Sequence, residues 1–157
     1  MAEPIFNPQF WKQRLRDAEL RGEIHRSIFH THTGAWERIR EANAAALRAV
    51  LEPHTSILDV GCGYGDLLDL MPDFWKGEYV GIDLSPDLLA RAKARHPERT
   101  FLHGDIRYDM DLPVKVDLAV CRSIKQMVIA NAGMQVWQEI EVNIAKVAKG
   151  ILILEYT

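Results

Sequence analysis

The chain predicts an α/β fold: a doubly wound sheet of about five parallel strands with helices at its N-terminal end. Three observations predict it. From residue 57 onward, short apolar runs alternate with segments of helical periodicity, a pattern that implies parallel pairing through right-handed crossovers. Those runs are nearly continuous rather than alternating, as in strands covered on both faces. The first of them, Ile57-Leu58-Asp59-Val60, runs into Gly61-Cys62-Gly63-Tyr64-Gly65-Asp66, a glycine-rich turn of the kind that joins a strand to a helix.

Residues 10–23 read as a helix on Phe10, Trp11, Leu15 and Leu20, broken by Gly22 and the stretch 25–34. A long helix over 36–51 carries Trp36, Ile39, Leu47 and Leu51, and Pro53 ends it. Strand one is 57–60, and Pro72 stops the short helix after it. Strand two is 79–82. Ser85-Pro86 is a cap followed by an N1 proline, opening a helix that reaches about His96. Strands three and four are 100–103 and 116–121. A helix over 134–148 ends at Gly150, and strand five is 151–155. One domain, 1–157, results, with a helix-and-lid segment over 1–35 and the sheet core over 36–157.

Composition sets the outer limits. At 157 residues, 48% hydrophobic and 26% charged, the chain has enough apolar content for one core. A net charge of −3 presents no basic field to a nucleic-acid backbone, so nucleic acid is an unlikely partner. Two cysteines make no disulfide framework and fit a reducing cytoplasm. No apolar run approaches the ~18 residues of a membrane span, and no signal peptide is expected.

The glycine turn carries the chemistry. Without Cβ atoms the backbone can approach a ligand closely, and the carboxyl ends of strands are where open α/β sheets bind them. The spacing is G-x-G-x-G, not the G-x-G-x-x-G of a dinucleotide site, and no Lys-Ser/Thr follows as in a P-loop. Asp59 precedes the turn and Asp66 closes it, so a ligand with a cationic end suits it better than a pyrophosphate.

On Asp59-Val60-Gly61-Cys62-Gly63-Tyr64-Gly65, Tyr79-Val80-Gly81-Ile82-Asp83-Leu84-Ser85 and Thr100-Phe101-Leu102-His103-Gly104-Asp105-Ile106, the chain resembles the class I S-adenosylmethionine-dependent methyltransferases. The resemblance implies a Rossmann-like core and S-adenosylmethionine as cofactor. It assigns the cofactor to Asp59, Gly61, Cys62, Gly63, Gly65, Asp83, Leu84, Asp105, Ile106 and Cys121. Asp83 would hold the ribose diol, and Asp105 and Ile106 the adenine. The family's sixth and seventh strands have no counterpart before Thr157, so strand five is expected at an edge covered by a homodimer, a partner or the N-terminal region.

The acceptor side is less defined. His25, His30 and His32 are candidates for a general base, for a metal set (H-x4-H-x-H) or for plain loop polarity. Without a carboxylate or cysteine at ligand spacing, no metal site is expected. Arg122 and Lys125, after strand four, would hold an acidic acceptor or stand as surface charges. Cys121 has no proline before it and reads as a buried structural thiol. The Asn/Asp-Pro-Pro-aromatic run of amino-methylating nucleic-acid enzymes is absent. The expected activity is O- or N-methylation of a small molecule; the alternative is a non-catalytic S-adenosylmethionine-binding module or a partner-dependent enzyme for protein or RNA.

Overall fold

The computed structural model describes residues 4–22, 33–113 and 115–155. Five parallel strands form one sheet: β1 (Ile57–Val60), β2 (Tyr79–Asp83), β3 (Thr100–His103), β4 (Val116–Arg122) and β5 (Ala148–Leu154), in the order β3-β2-β1-β4-β5. The chain thus starts at the centre, winds outward to β3, crosses back over β1 and finishes at β5. That reversal beside β1 places a crevice at the carboxyl ends of β1, β2 and β4.

Period-two alternation sends each strand's residues to two cores. Leu58 and Val60 join Ile82, Cys121, Val128, Trp137, Ile140 and Ile144, so this face is covered by α4 (Ile124–Ala132) and α5 (Met134–Ala145). Ile57 joins Leu47, Leu51, Tyr79, Leu89, Ala92 and Phe101, so the opposite face is covered by α2 (Thr33–Val50) and α3 (Pro86–Arg95). The first helix, α1 (Pro8–Arg21), packs Leu15 and Ala18 against Tyr64 and Leu88. A single 3-10 turn, Pro4–Phe6, precedes it, and another, Asp66–Leu70, follows the glycine loop.

The helix starts obey their caps. Asn7 accepts from Gln9 N ahead of Pro8, and Ser85 Oγ accepts from Leu88 N ahead of Pro86. Gly22 closes α1 in the left-handed conformation at φ 67°.

Two expectations are corrected. Gly150 does not end a helix: α5 stops at Ala145, and Gly150 lies inside β5 opposite Leu118. Pairing with β4 captures residues 148–150 and overrides the helical periodicity. The second is an omission: α4 follows β4 directly, though no helix is expected there. Ile124, Met127 and Val128 stood at i, i+3 and i+4 before Gly133, and that was the available signal. Strand five does lie at the sheet edge, paired only with β4 among the described residues. The N-terminal cover expected along it is not seen among them: α1 packs on α3, and α2 lies over a face. No described helix is long and apolar enough to cross a membrane.

Candidate functional site

The glycine loop is held open by its neighbours. Gly61 N and Cys62 N both donate to Ile82 O, at 2.9 and 3.0 Å, tying the loop to the end of β2. Asp83 completes the tie: one carboxylate oxygen accepts from Gly63 N and the other from Ser85 N, both at 2.8 Å. Gly61 and Gly63 adopt φ 69° and 55°, the left-handed region that costs residues with a Cβ about 1–2 kcal/mol. A Cβ on Gly61 would strike the Ile124 side chain, whereas one on Gly63 would meet nothing within 4 Å. Gly63 therefore faces open space, in the crevice itself.

Two adjoining clefts occupy that crevice. The first, about 530 Å³, is lined by Asp59, Gly61, Cys62, Gly63, Asp66 and Arg122 on its polar side, with Trp11, Leu88 and Met127 as apolar walls. The second, about 430 Å³, runs past Leu84, Gly104 and Ile106 under Ile5 and Phe6. Gly61, Asp83, Trp11, Ile124 and Met127 belong to both.

Burial sets the electrostatics. Asp59 is 3% exposed, and desolvation pushes its carboxyl up to about 7, against the pull of a 2.6 Å hydrogen bond from Tyr79 Oη. Asp83 is also raised by burial, countered by the backbone N–H groups that hold it. Arg122 forms a buried ion pair with Asp66 and lies 5.2 Å from the Trp36 ring centre. Burial pushes the Cys121 thiol up to about 12, which denies it a nucleophile's role.

The expected site residues sort accordingly. Asp59, Gly61, Cys62, Gly63, Asp83, Leu84 and Ile106 line the clefts. Gly65 does not; a Cβ there would pack on His96 and Phe101, behind the loop. Asp105 lines neither cleft and is held in a bidentate pair with Arg107, although its neighbours Gly104 and Ile106 line the second cleft. Cys121 is fully buried beneath the site. Arg122 is no surface charge, being 6% exposed, and it lines the first cleft in its pair with Asp66. That pair neutralises Asp66, so repulsion by Asp66 no longer argues against a pyrophosphate; the glycine spacing and Asp59 still do. Lys125 lines neither cleft. His25, His30 and His32 lie outside the described residues.

Sequence reading missed Ile5, Phe6 and Trp11; Ile124 and Met127 lie in the acceptor-side segment after strand four, where only Arg122 and Lys125 were singled out. The N-terminal region supplies a wall of the crevice through residues 5–11. Trp11, fixed by Nε1 donating to Ile5 O at 2.8 Å, is its centre.

Comparison with known proteins identifies the family. Residues 57–143, more than half of the chain, match the family described as a methyltransferase domain. A Streptomyces fradiae dTDP-3-amino-3,6-dideoxy-alpha-D-glucopyranose N,N-dimethyltransferase is 34% identical over 108 residues, 66% of this chain and 41% of that protein. A trans-aconitate 2-methyltransferase of Escherichia coli O1:K1 is 38% identical over 74 residues, 46% of this chain and 29% of that protein. The chain thus spans less than half the length of these relatives. Among solved structures, a Geobacter sulfurreducens methyltransferase in complex with S-adenosyl-L-homocysteine superposes with a TM-score of 0.55 at 30% identity, over 74% of this chain and 47% of that one. Since the matched residues run from β1 into α5 and carry the whole glycine loop, the chain belongs to the class I S-adenosylmethionine-dependent methyltransferase family.

Proposed function

We propose that the chain binds S-adenosylmethionine and transfers its methyl group to an oxygen or nitrogen of a small-molecule acceptor. The observation that carries this reading is the continuous, mostly apolar crevice with Asp83 at its junction: the glycine loop, Asp59 and the Asp66–Arg122 pair border one cleft, and Leu84, Gly104 and Ile106 border the other. The residues fit the cofactor. Gly63 leaves space where a Cβ would intrude, and Asp83 is held rigidly enough to accept from a ribose diol. Ile106, Phe6 and Val128 offer apolar contact for adenine, and Asp59 offers an anion for a cationic amino-acid end.

When bound, the cofactor supplies a methyl group on a positively charged sulfur. The protein's part is to position and to exclude water, which accounts for most of the acceleration such a transfer needs. Trp11, Ile124 and Met127 close the crevice above the loop. Arg122 holds Asp66 and so steadies the first turn after the loop. His30 and His32 remain the proposed proton acceptors for an acceptor that must lose its proton. The amino-sugar and trans-aconitate enzymes among the relatives support a small-molecule acceptor. The reading also includes a reducing, cytoplasmic setting, supported by free Cys62 and Cys121, and a homodimer or partner along β5, supported by that edge.

Parallel calorimetric titrations test it. S-Adenosylmethionine and S-adenosylhomocysteine are expected to bind at micromolar levels and NAD not to bind. Asp83→Ala should weaken both by at least about tenfold, ~1.4 kcal/mol. Binding of NAD alone, or unchanged affinity in the variant, overturns the reading.

A further inference from the structure

Tyr79 opens β2 in register with Ile57, and its side chain lies on the same face of the sheet as that of Asp59, one pleat along β1. The ring is 3% exposed and packs edge-on against Phe101, with centroids 5.6 Å apart. Its hydroxyl donates to Asp59 Oδ2. Asp59 lines the first cleft; Tyr79 lines neither. The tyrosine therefore reaches a ligand only through the carboxyl it holds.

Resting on the reading of the crevice as the S-adenosylmethionine site, we propose that Tyr79 is a positioning residue for ligand binding. Its hydroxyl fixes the Asp59 carboxyl at the floor of the glycine loop, where that carboxyl meets the ammonium group of the ligand's amino-acid end. The geometry sets which end that is. Asp83 stands at the junction of the clefts, so with adenine beside Ile106 the opposite end of the ligand falls at Asp59.

The surrounding charges make this hydrogen bond consequential. Asp66 and Asp83 disfavour a charge on Asp59, Arg122 favours it, and the Cys62 and Cys121 thiols beside it are neutral because burial raises both. Burial also holds the Tyr79 hydroxyl far above its usual range, so it remains a donor at every working pH. With the Asp59 carboxyl poised at about 7, loss of one donor moves its ionisation upward across neutrality.

The test is the pH dependence of S-adenosylhomocysteine affinity, measured calorimetrically between about pH 5.5 and 8 for the wild type and Tyr79→Phe. Titration of the ligand's own amino group is common to both proteins and cancels in their ratio. The expected result is an affinity about threefold to tenfold weaker in the variant near pH 6.5, with the two curves converging as pH rises. Superposed curves, or the same loss at every pH, overturn the proposal. If Tyr79→Phe does not fold, Asp59→Asn is read instead: its deficit against the wild type should grow with pH, and a constant deficit overturns the proposal. A wild type that fails to bind at all refutes the underlying site reading, an outcome distinct from either.

Discussion

At the scale of single residues, the loop shows how one glycine can be tested apart from its strain. Gly63 and Gly22 both take left-handed φ, at 55° and 67°, and a Cβ at either meets nothing within 4 Å. They differ in what lies beyond. Gly63 opens on the crevice, while Gly22 caps an exposed end of α1. Gly63→Val and Gly22→Val should therefore cost similar stability, about 1–2 kcal/mol by urea denaturation. Only Gly63→Val should lose S-adenosylhomocysteine affinity, by more than about tenfold, because the valine would stand where the ligand runs. Equal affinity in both variants would move the ligand off the loop. Much of this residue-level picture was legible in the sequence: the glycine spacing marks Gly61 and Gly63, and the resemblance to the methyltransferase family adds Asp59 and Asp83. The partner of Arg122 was not, because the ion pair Arg122–Asp66 joins positions far apart in the chain and leaves no periodic trace.

Elements were legible where local chemistry and tertiary pairing agree. Ser85-Pro86 announces α3, and the structure starts α3 there. The glycine at 150 misled because its meaning depends on β4, which turns a helix stop into a strand position. Helix α4 went unread because its 9 residues repeat the apolar spacing for little more than one turn of the pattern; in the structure its flank Ser123 takes φ 61° with no side-chain cap bond. The Ser85 cap allows element stability to be separated from ligand binding. Its Oγ receives Leu88 N, while its backbone N–H, which a substitution leaves in place, supports Asp83. Ser85→Ala should lower stability by about 1 kcal/mol. Ligand affinity should change by less than about twofold, because Asp83 keeps both of its donors. A tenfold affinity loss would show that α3 must be capped for the site to exist.

For the molecule as a whole, the topology explains why the site draws on such distant stretches of chain. Winding outward from β1 to β3 and then back to β4 leaves β1, β2 and β4 side by side, with their carboxyl ends forming one rim. The chain's first described residues, Ile5, Phe6 and Trp11, return to roof that rim together with α4. Parallel pairing followed from the alternation of strands and helices; the strand order and the roof residues did not, since nothing local in residues 5–11 says what they cover. A ligand in the crevice therefore touches both the centre of the sheet and the start of the chain, and its binding energy should appear as stability of the folded state. At about 100 times Kd, S-adenosylhomocysteine should add ~2.7 kcal/mol, a rise of roughly 5–10 °C in Tm for a domain of this size. Hydrogen exchange should locate the gain. Amides of residues 5–11, of the loop at 61–65 and of the first turn of α4 should slow most, while those of β5, at the far edge of the sheet, should respond only to the global change. Protection confined to the loop, with residues 5–11 exchanging as before, would show that the N-terminal segment does not close on the ligand and that the roof of the site is built by other residues.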